Sequence, residues 1–234
     1  MMIDQLIAYE KNPDKAPRAI LMKGAGGKAF CAGGDIVSIY KAHKTGRPLD
    51  ELLHFFKTEY ILDYNLSQME KIDRISLWNG ICMGGGVGLT WHSPIRIATE
   101  KSMYAMPETA IGFFTDVGGS YFLPRIKNSD ISLGLFLGLT GFRVKGADLV
   151  KYGIATHYVQ EEEIEHMQQI LNERVTKDST HCQIEDIVMD HACMDAKVGE
   201  IPNLDEIRQI FKPDSIQKIV ERLEASSSAF SQAC

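Results

Sequence analysis

The sequence predicts an α/β domain, and three observations carry that prediction. A short apolar run, a glycine-rich turn and a helical pattern follow one another twice between residues 19 and 91. Of the 20 glycines, five fall in Gly24 to Gly34, five in Gly80 to Gly88 and three in Gly112 to Gly119, so three tight backbone passages are implied. The 44% apolar and 24% charged residues of this 234-residue chain are enough to close one hydrophobic core.

The elements follow in order. Ile3, Leu6 and Ile7 recur at helical spacing up to Asn12-Pro13, and Ala19-Ile20-Leu21-Met22 suits a buried strand. After the first glycine cluster, Asp35 is placed to cap a helix bearing Ile36, Ile39 and Tyr40. Leu49, Leu52, Leu53, Phe56 and Tyr60 define an amphipathic helix over 49–69. Arg74 to Trp78 alternates as a strand does, and the second glycine cluster leads into a helix at Val87 to Trp91. Ile95 to Ala98 and Met103 to Ala105 read as two further strands before Pro107.

From about residue 117 the pattern turns helical, with Tyr121 to Ile126, Leu133 to Leu139 and Ala147 to Tyr152, then a short strand at Thr156 to Val159. Glu161 to Val175 is a helix whose acidic first turn complements its dipole. Short helices broken at Pro202 and Pro213 fill 181–224, and the Ser/Ala-rich segment Ala225 to Cys234 is expected to be disordered. The chain thus divides into a core over 1–160, a helical extension over 161–224 and a tail over 225–234.

Composition narrows the function. With 25 Lys+Arg against 31 Asp+Glu, a net charge of −6 and no basic block, the sequence offers no footprint for nucleic acid or an anionic membrane. The least polar stretch, Ile131 to Phe142, falls short of the roughly 20 residues that cross a bilayer. Met1 to Gln5 has neither the basic nor the apolar region of a signal peptide, so a cytoplasmic location is the expectation from the residues themselves. Five unevenly spaced cysteines read as free thiols in a reducing compartment.

The first glycine cluster admits several readings. A nucleotide P-loop fails, because Met22 and Ala29 stand where a Gly and a hydroxyl are required. A dinucleotide fingerprint is interrupted by Phe30-Cys31. A plain surface loop is open, as is a sharp turn at Ala32-Gly33-Gly34-Asp35 that leaves the Gly34 amide free to meet an anion. Gly84-Gly85-Gly86 again joins a strand to a helix, and two such donors aimed at one point make an oxyanion hole.

Phe30-Cys-Ala-Gly-Gly-Asp35, Met83-Gly-Gly-Gly-Val-Gly-Leu89, Met106-Pro-Glu-Thr-Ala-Ile-Gly112 and Asp116-Val-Gly-Gly119 resemble, in order and spacing, the enoyl-CoA hydratase/isomerase (crotonase) superfamily. The similarity is strong over 1–160 and nearest to the thioester hydrolases of the superfamily. It implies a crotonase-like ββα spiral with a helical C-terminal part. It also implies cleavage of a short-chain acyl-CoA, namely 3-hydroxyisobutyryl-CoA to 3-hydroxyisobutyrate and CoA in valine breakdown, in the mitochondrion.

Carried over residue by residue, Gly34 and Gly85 supply the oxyanion amides and Glu108 the catalytic carboxylate, as nucleophile or base, with Asp116 as its partner. Glu59 is implied to contact the substrate, with Gly33, Gly84 and Phe113 lining its site. Lys28, beside the first loop, is a candidate for the CoA phosphates. Superfamily hydratases carry a second glutamate where this chain has Gly88, which disfavours hydration by two glutamates. Thr115 stands where the hydrolases commonly have proline, and Thr90 to Ser93 departs from the family wording.

No cofactor is implied, coenzyme A being part of the substrate, and no metal: His181, Cys182, His191 and Cys193 fit none of the usual ligand spacings. Family members continue beyond both ends of the matched region, so a chain shortened at both ends is expected. Two alternatives stay open: an enoyl-CoA hydratase/isomerase, and a non-catalytic shortened form that binds acyl-CoA or a partner. A homo-oligomer is equally open.

Overall fold

The computed structural model describes residues 2–126 and 130–234; Met1, where the expected core begins, lies outside the described residues, as do the side chains of Met2, Ile3, Glu10 and Pro13. Two four-stranded sheets carry the fold. The first runs β1 (Ala19–Lys23), β3 (Asp73–Trp78), β5 (Ile95–Ala98) and β8 (His157–Tyr158), parallel throughout. The second runs β2 (Ala29–Cys31), β4 (Ile81–Met83), β6 (Met103–Ala105) and β7 (Val144–Lys145), with β7 antiparallel. Each of the first three units gives one strand to each sheet and then turns into a helical segment, so the chain winds as a spiral of ββα turns, and β7 and β8 complete the two sheets with α7 between them.

The helices are α1 (Met2–Lys11), α2 (Ile36–Lys44), α3 (Leu49–Gln68), α4 (Gly85–Trp91), α5 (Gly119–Phe122), α6 (Ile131–Thr140), α7 (Asp148–Lys151), α8 (Glu161–Arg174), α9 (His181–Asp190), α10 (Leu204–Ile210), α11 (Ile216–Ala225) and α12 (Ala229–Ala233). Asp35 caps α2 as expected, its carboxylate accepting from the Ser38 amide at 3.0 Å. Every residue of β3 is buried, as befits a central strand covered on both faces. Ile75, Leu77, Ile95 and Ile97 meet Ile164, Met167, Leu171, Ile184 and Val188 of α8 and α9 on one side. Trp78, Tyr104, Phe122, Phe136 and Phe211 form the larger core.

Two sequence expectations are corrected. β2, β4 and β7 were not anticipated, because two or three residues beside glycines show no periodicity. Nor is 225–234 a disordered tail: Ala229–Ala233 form α12, Phe230 packs on Phe136 with ring centroids 5.8 Å apart, and Ser226, Ser228 and Ser231 all donate to Glu206 Oε1. Its serines are cap and hydrogen-bond donors rather than a solvated run.

The departures at 90–93 and 115 are structural. Thr90 takes the Trp78 indole N–H at 3.0 Å, Trp91 stacks on Phe122 at 4.3 Å, and the Thr115 hydroxyl donates to the Gly138 carbonyl at 2.7 Å. Among the described residues no helix is long and apolar enough to cross a membrane.

Candidate active site

The C-terminal ends of β2 and β4 turn into α2 and α4 side by side, and the turns touch. A Cβ built on Gly85 would stand 3.6 Å from the Gly34 nitrogen, and one on Gly33 would stand 3.9 Å from the Gly85 nitrogen. Gly84 adopts φ 50°, ψ −121°, a conformation that residues with a side chain rarely reach, and this frees the chain to enter α4 at Gly85. Among the described residues neither the Gly34 nor the Gly85 amide donates to a backbone carbonyl. Both are first-turn or pre-helical donors of the kind that bind anions.

Carboxylates surround this point. Glu108 opens a short 3-10 helix, Glu108–Ile111, just after β6, and is 7% exposed. A Cβ on Gly84 would lie 2.8 Å from Glu108 Oε1, so the bare α-carbon of Gly84 is what admits the carboxylate. Glu108 Oε2 is buried without a hydrogen-bond partner among the described residues. Burial pushes the Glu108 pKa up to about 7, with Asp116 and Glu59 adding to the rise against an opposing backbone hydrogen bond.

Glu59 reaches in from α3 to the face of Gly85, and burial, then the charge of Asp116, raises its pKa. Asp116 Oδ2 accepts a 2.6 Å hydrogen bond from the Tyr60 hydroxyl. Val117, the next residue, holds φ 45°, a strained backbone for a β-branched side chain, of order 1–2 kcal/mol. It is tolerated because its side chain is buried in the space left bare by Gly88, whose Cβ would stand 2.5 Å from Val117 Cβ.

These groups line one cleft of about 580 Å³, together with Gly33, Leu52, Phe55, Phe56, Pro107 and Phe113. Phe56 and Phe113 stack at 5.7 Å, forming an apolar wall beside the carboxylates. Gly33, Gly34, Gly84, Gly85, Glu59, Glu108, Phe113 and Asp116, all singled out in the sequence, therefore meet in one place. Lys28 does not: it is exposed before the N-terminal end of β2, away from the turn that forms the cleft.

Sequence reasoning passed over Tyr60, assigned only to an apolar helix face, and Asp63, one turn beyond Glu59. The i, i+4 spacing of Glu59 and Asp63 was a readable signal that both project from one side of α3. Of the cysteines and histidines weighed for zinc, His181 is hydrogen-bonded to Asp73 instead. A different trio, Glu163, His166 and His191, brings its ligand atoms within 4.8 Å of one another on the outer side of α8 and α9 and could hold a metal.

The family profile described as enoyl-CoA hydratase/isomerase matches residues 1–234. Over 229 residues the chain is 44% identical to a protein of Danio rerio named 3-hydroxyisobutyryl-CoA hydrolase, mitochondrial, covering 97% of this chain and 58% of the relative. The Homo sapiens protein of that name is 40% identical over 232 residues, covering 97% and 57%. The chain therefore spans less than two thirds of the length of these curated relatives. A solved carnitinyl-CoA dehydratase from Mycobacterium thermoresistibile superposes with a TM-score of 0.79 at 32% identity, covering 99% of this chain and 64% of that one. An enoyl-CoA hydratase from Rhodobacter sphaeroides 2.4.1 gives 0.76 at 30%, covering 99% and 63%.

Proposed function

The chain belongs to the enoyl-CoA hydratase/isomerase family, and from that premise we propose that it hydrolyses a short-chain acyl-CoA thioester, 3-hydroxyisobutyryl-CoA to 3-hydroxyisobutyrate and CoA. The observation that carries this reading is the meeting of the Gly34 and Gly85 turns beside a buried Glu108 whose Oε2 has no hydrogen-bond partner among the described residues. Attack on a thioester places negative charge on the carbonyl oxygen. Two fixed amides at that point stabilise it, each contributing about 3 kcal/mol of barrier lowering. The names of the curated relatives support the acyl group and a mitochondrial setting, and the reading places the reaction in valine breakdown.

Glu108 acts as carboxylate in either of two routes. It attacks the carbonyl carbon, expelling CoA thiolate and leaving an acyl anhydride that water then opens, or it takes a proton from a water that attacks directly. Asp116 positions the substrate or assists release of the product, and Glu59, at the face of Gly85, receives the 3-hydroxyl. The Phe56–Phe113 wall covers the acyl chain. With the Glu108 pKa at about 7, the charged form is in the minority below that pH, so turnover rises as pH passes through it.

The rival reading within the family is water addition to an enoyl-CoA, for which the second carboxylate, Glu59, against the face of Gly85 would serve. Thiol release from 3-hydroxyisobutyryl-CoA, with no water addition to crotonyl-CoA and loss of turnover in Glu108→Ala, is the expected outcome. Saturable CoA-thioester binding without turnover would instead mark a non-catalytic form. Repeated turnover in isotopic water separates the two routes, because only the anhydride route places label in Glu108.

A further inference from the structure

Behind the cleft lies a second cavity of about 850 Å³ that shares Asp116 and Val117 with it. Its inner wall carries Asp63, which is 8% exposed and has neither carboxyl oxygen hydrogen-bonded among the described residues. Asp63 Oδ2 lies 2.7 Å from the point where a Cβ on Gly88 would stand, and Val117 Cβ lies 2.5 Å from the same point. The carboxyl of Asp63 and the strained Val117 thus divide the space that Gly88 leaves empty. Asp63 is one turn from Glu59 on α3, and Val117 directly follows Asp116.

The surroundings of this carboxyl contain no countercharge. From its own helix come Glu59, Tyr60 and Tyr64, from the loop after Gly112 comes Asp116, and from the end of α4 and from α5 come His92 and Tyr121. No Lys or Arg lines the cavity among the described residues. His92 does not substitute for one, since burial, with Arg74 and Arg96 nearby, depresses its pKa. A buried anion between two other carboxylates, without donor or cation, is the arrangement a protein avoids by keeping a proton on the group.

We propose that Asp63 is a positioning residue that works as a neutral acid, its protonated carboxyl filling the hollow beside Gly88 and Val117 so that Glu59 and Asp116 hold their charge and place at the cleft. The proposal deepens the thioester reading and rests on it for its kinetic consequence. Ionisation of Asp63 would set a third negative charge against Glu59 and Asp116 and push the Val117 wall, and the site would fail.

The experiment compares the wild-type chain with Asp63→Asn, a neutral isostere, over pH 5 to 9. Burial, with Glu59 and Asp116 adding, raises the Asp63 pKa to about 8. Wild-type kcat corrected for uncatalysed hydrolysis should therefore fall about tenfold from its plateau by pH 9, and D63N should not fall. Thermal stability supplies a reading independent of activity. The folded state retains a proton that the unfolded chain loses near the ordinary aspartate value of 3.8, so wild-type stability falls as pH rises from there to about 8. D63N lacks that slope, and its Tm advantage should widen with pH. Carboxyl carbon-13 titration of the wild-type chain should show one aspartate protonated past pH 7, whatever the variant does.

Equal pH profiles and parallel Tm curves for the two proteins, or no such aspartate signal, overturn the proposal. A wild-type chain that shows no turnover but retains the widening Tm gap and the high-pH aspartate signal overturns the thioester reading and supports a protonated Asp63.

Discussion

Two aspartates of this chain, Asp63 and Asp73, are 8% and 7% exposed, and their settings are opposite. Asp73, at the start of β3, meets Arg18 at 2.6 Å and His181 Nδ1 at 2.6 Å, and its charge also faces the buried guanidinium of Arg74. It ties the end of the first sheet to α9 and to the segment before β1. Asp63 has no such neighbour, and at the end of the second sheet Glu59 and the Oε2 of Glu108 share its condition. One region spends its buried charge on cohesion. The other keeps carboxyls short of partners, which lowers stability and raises proton affinity toward the range where acid–base and nucleophilic chemistry run. Burial of a carboxylate does not itself mark a functional group; a shortage of donors around it does.

The largest effect should come from breaking the paired side. Asp73→Asn leaves Arg18, Arg74 and His181 without their common anion and should cost about 3 kcal/mol in chemical denaturation, while turnover per folded molecule is kept. A loss of turnover in a folded D73N would mean that the two ends of the molecule are coupled, and the contrast would fail.

On the unpaired side the sign should reverse. The Glu108 pKa is about 7 when folded against an ordinary glutamate value of 4.5, so the folded state holds the extra proton between them. Its stability is then full below the lower value and falls as pH rises through the higher one. Glu108→Gln removes that slope. At pH 8 the variant should be about 3 kcal/mol more stable than wild type, the gap closing near pH 4, even as turnover is lost. Denaturant midpoints at the two pH values decide it; a destabilised E108Q at pH 8 would show that Glu108 has a stabilising partner after all.

Much of this contrast was legible in the sequence, and unevenly so. β1, β3 and β5 could be read because four to six apolar or alternating residues define a strand, and Glu59, Glu108 and Asp116 could be read because they sit at fixed places among motif residues. β2 and β4 could not, since three residues set among glycines have neither length nor period, although they are what bring Gly34 and Gly85 together. Asp63 was hidden for another reason. Its significance lies in what is missing around it, and the partners of a side chain depend on tertiary packing that spacing does not reveal. The last helix was misjudged because Ser226, Ser228 and Ser231 resemble a solvated run until Glu206 is placed among them.

The smallest expected effect is also the one that tests the boundary between the two classes. Asp116 is the cleft carboxylate that does have a donor, the Tyr60 hydroxyl at 2.6 Å, and that donor is itself partly solvent-exposed. Tyr60→Phe removes it without changing the ring that packs near Phe56 at 6.2 Å. A single exposed, charge-assisted hydrogen bond contributes about 1 kcal/mol, so kcat/KM should fall roughly fivefold with the fold intact. Asp116 would then lose the one donor that fixes its place at the cleft. An unchanged kcat/KM in Y60F would show that Asp116 needs no such donor to hold that place, and the boundary between paired and unpaired carboxylates would not follow hydrogen bonding.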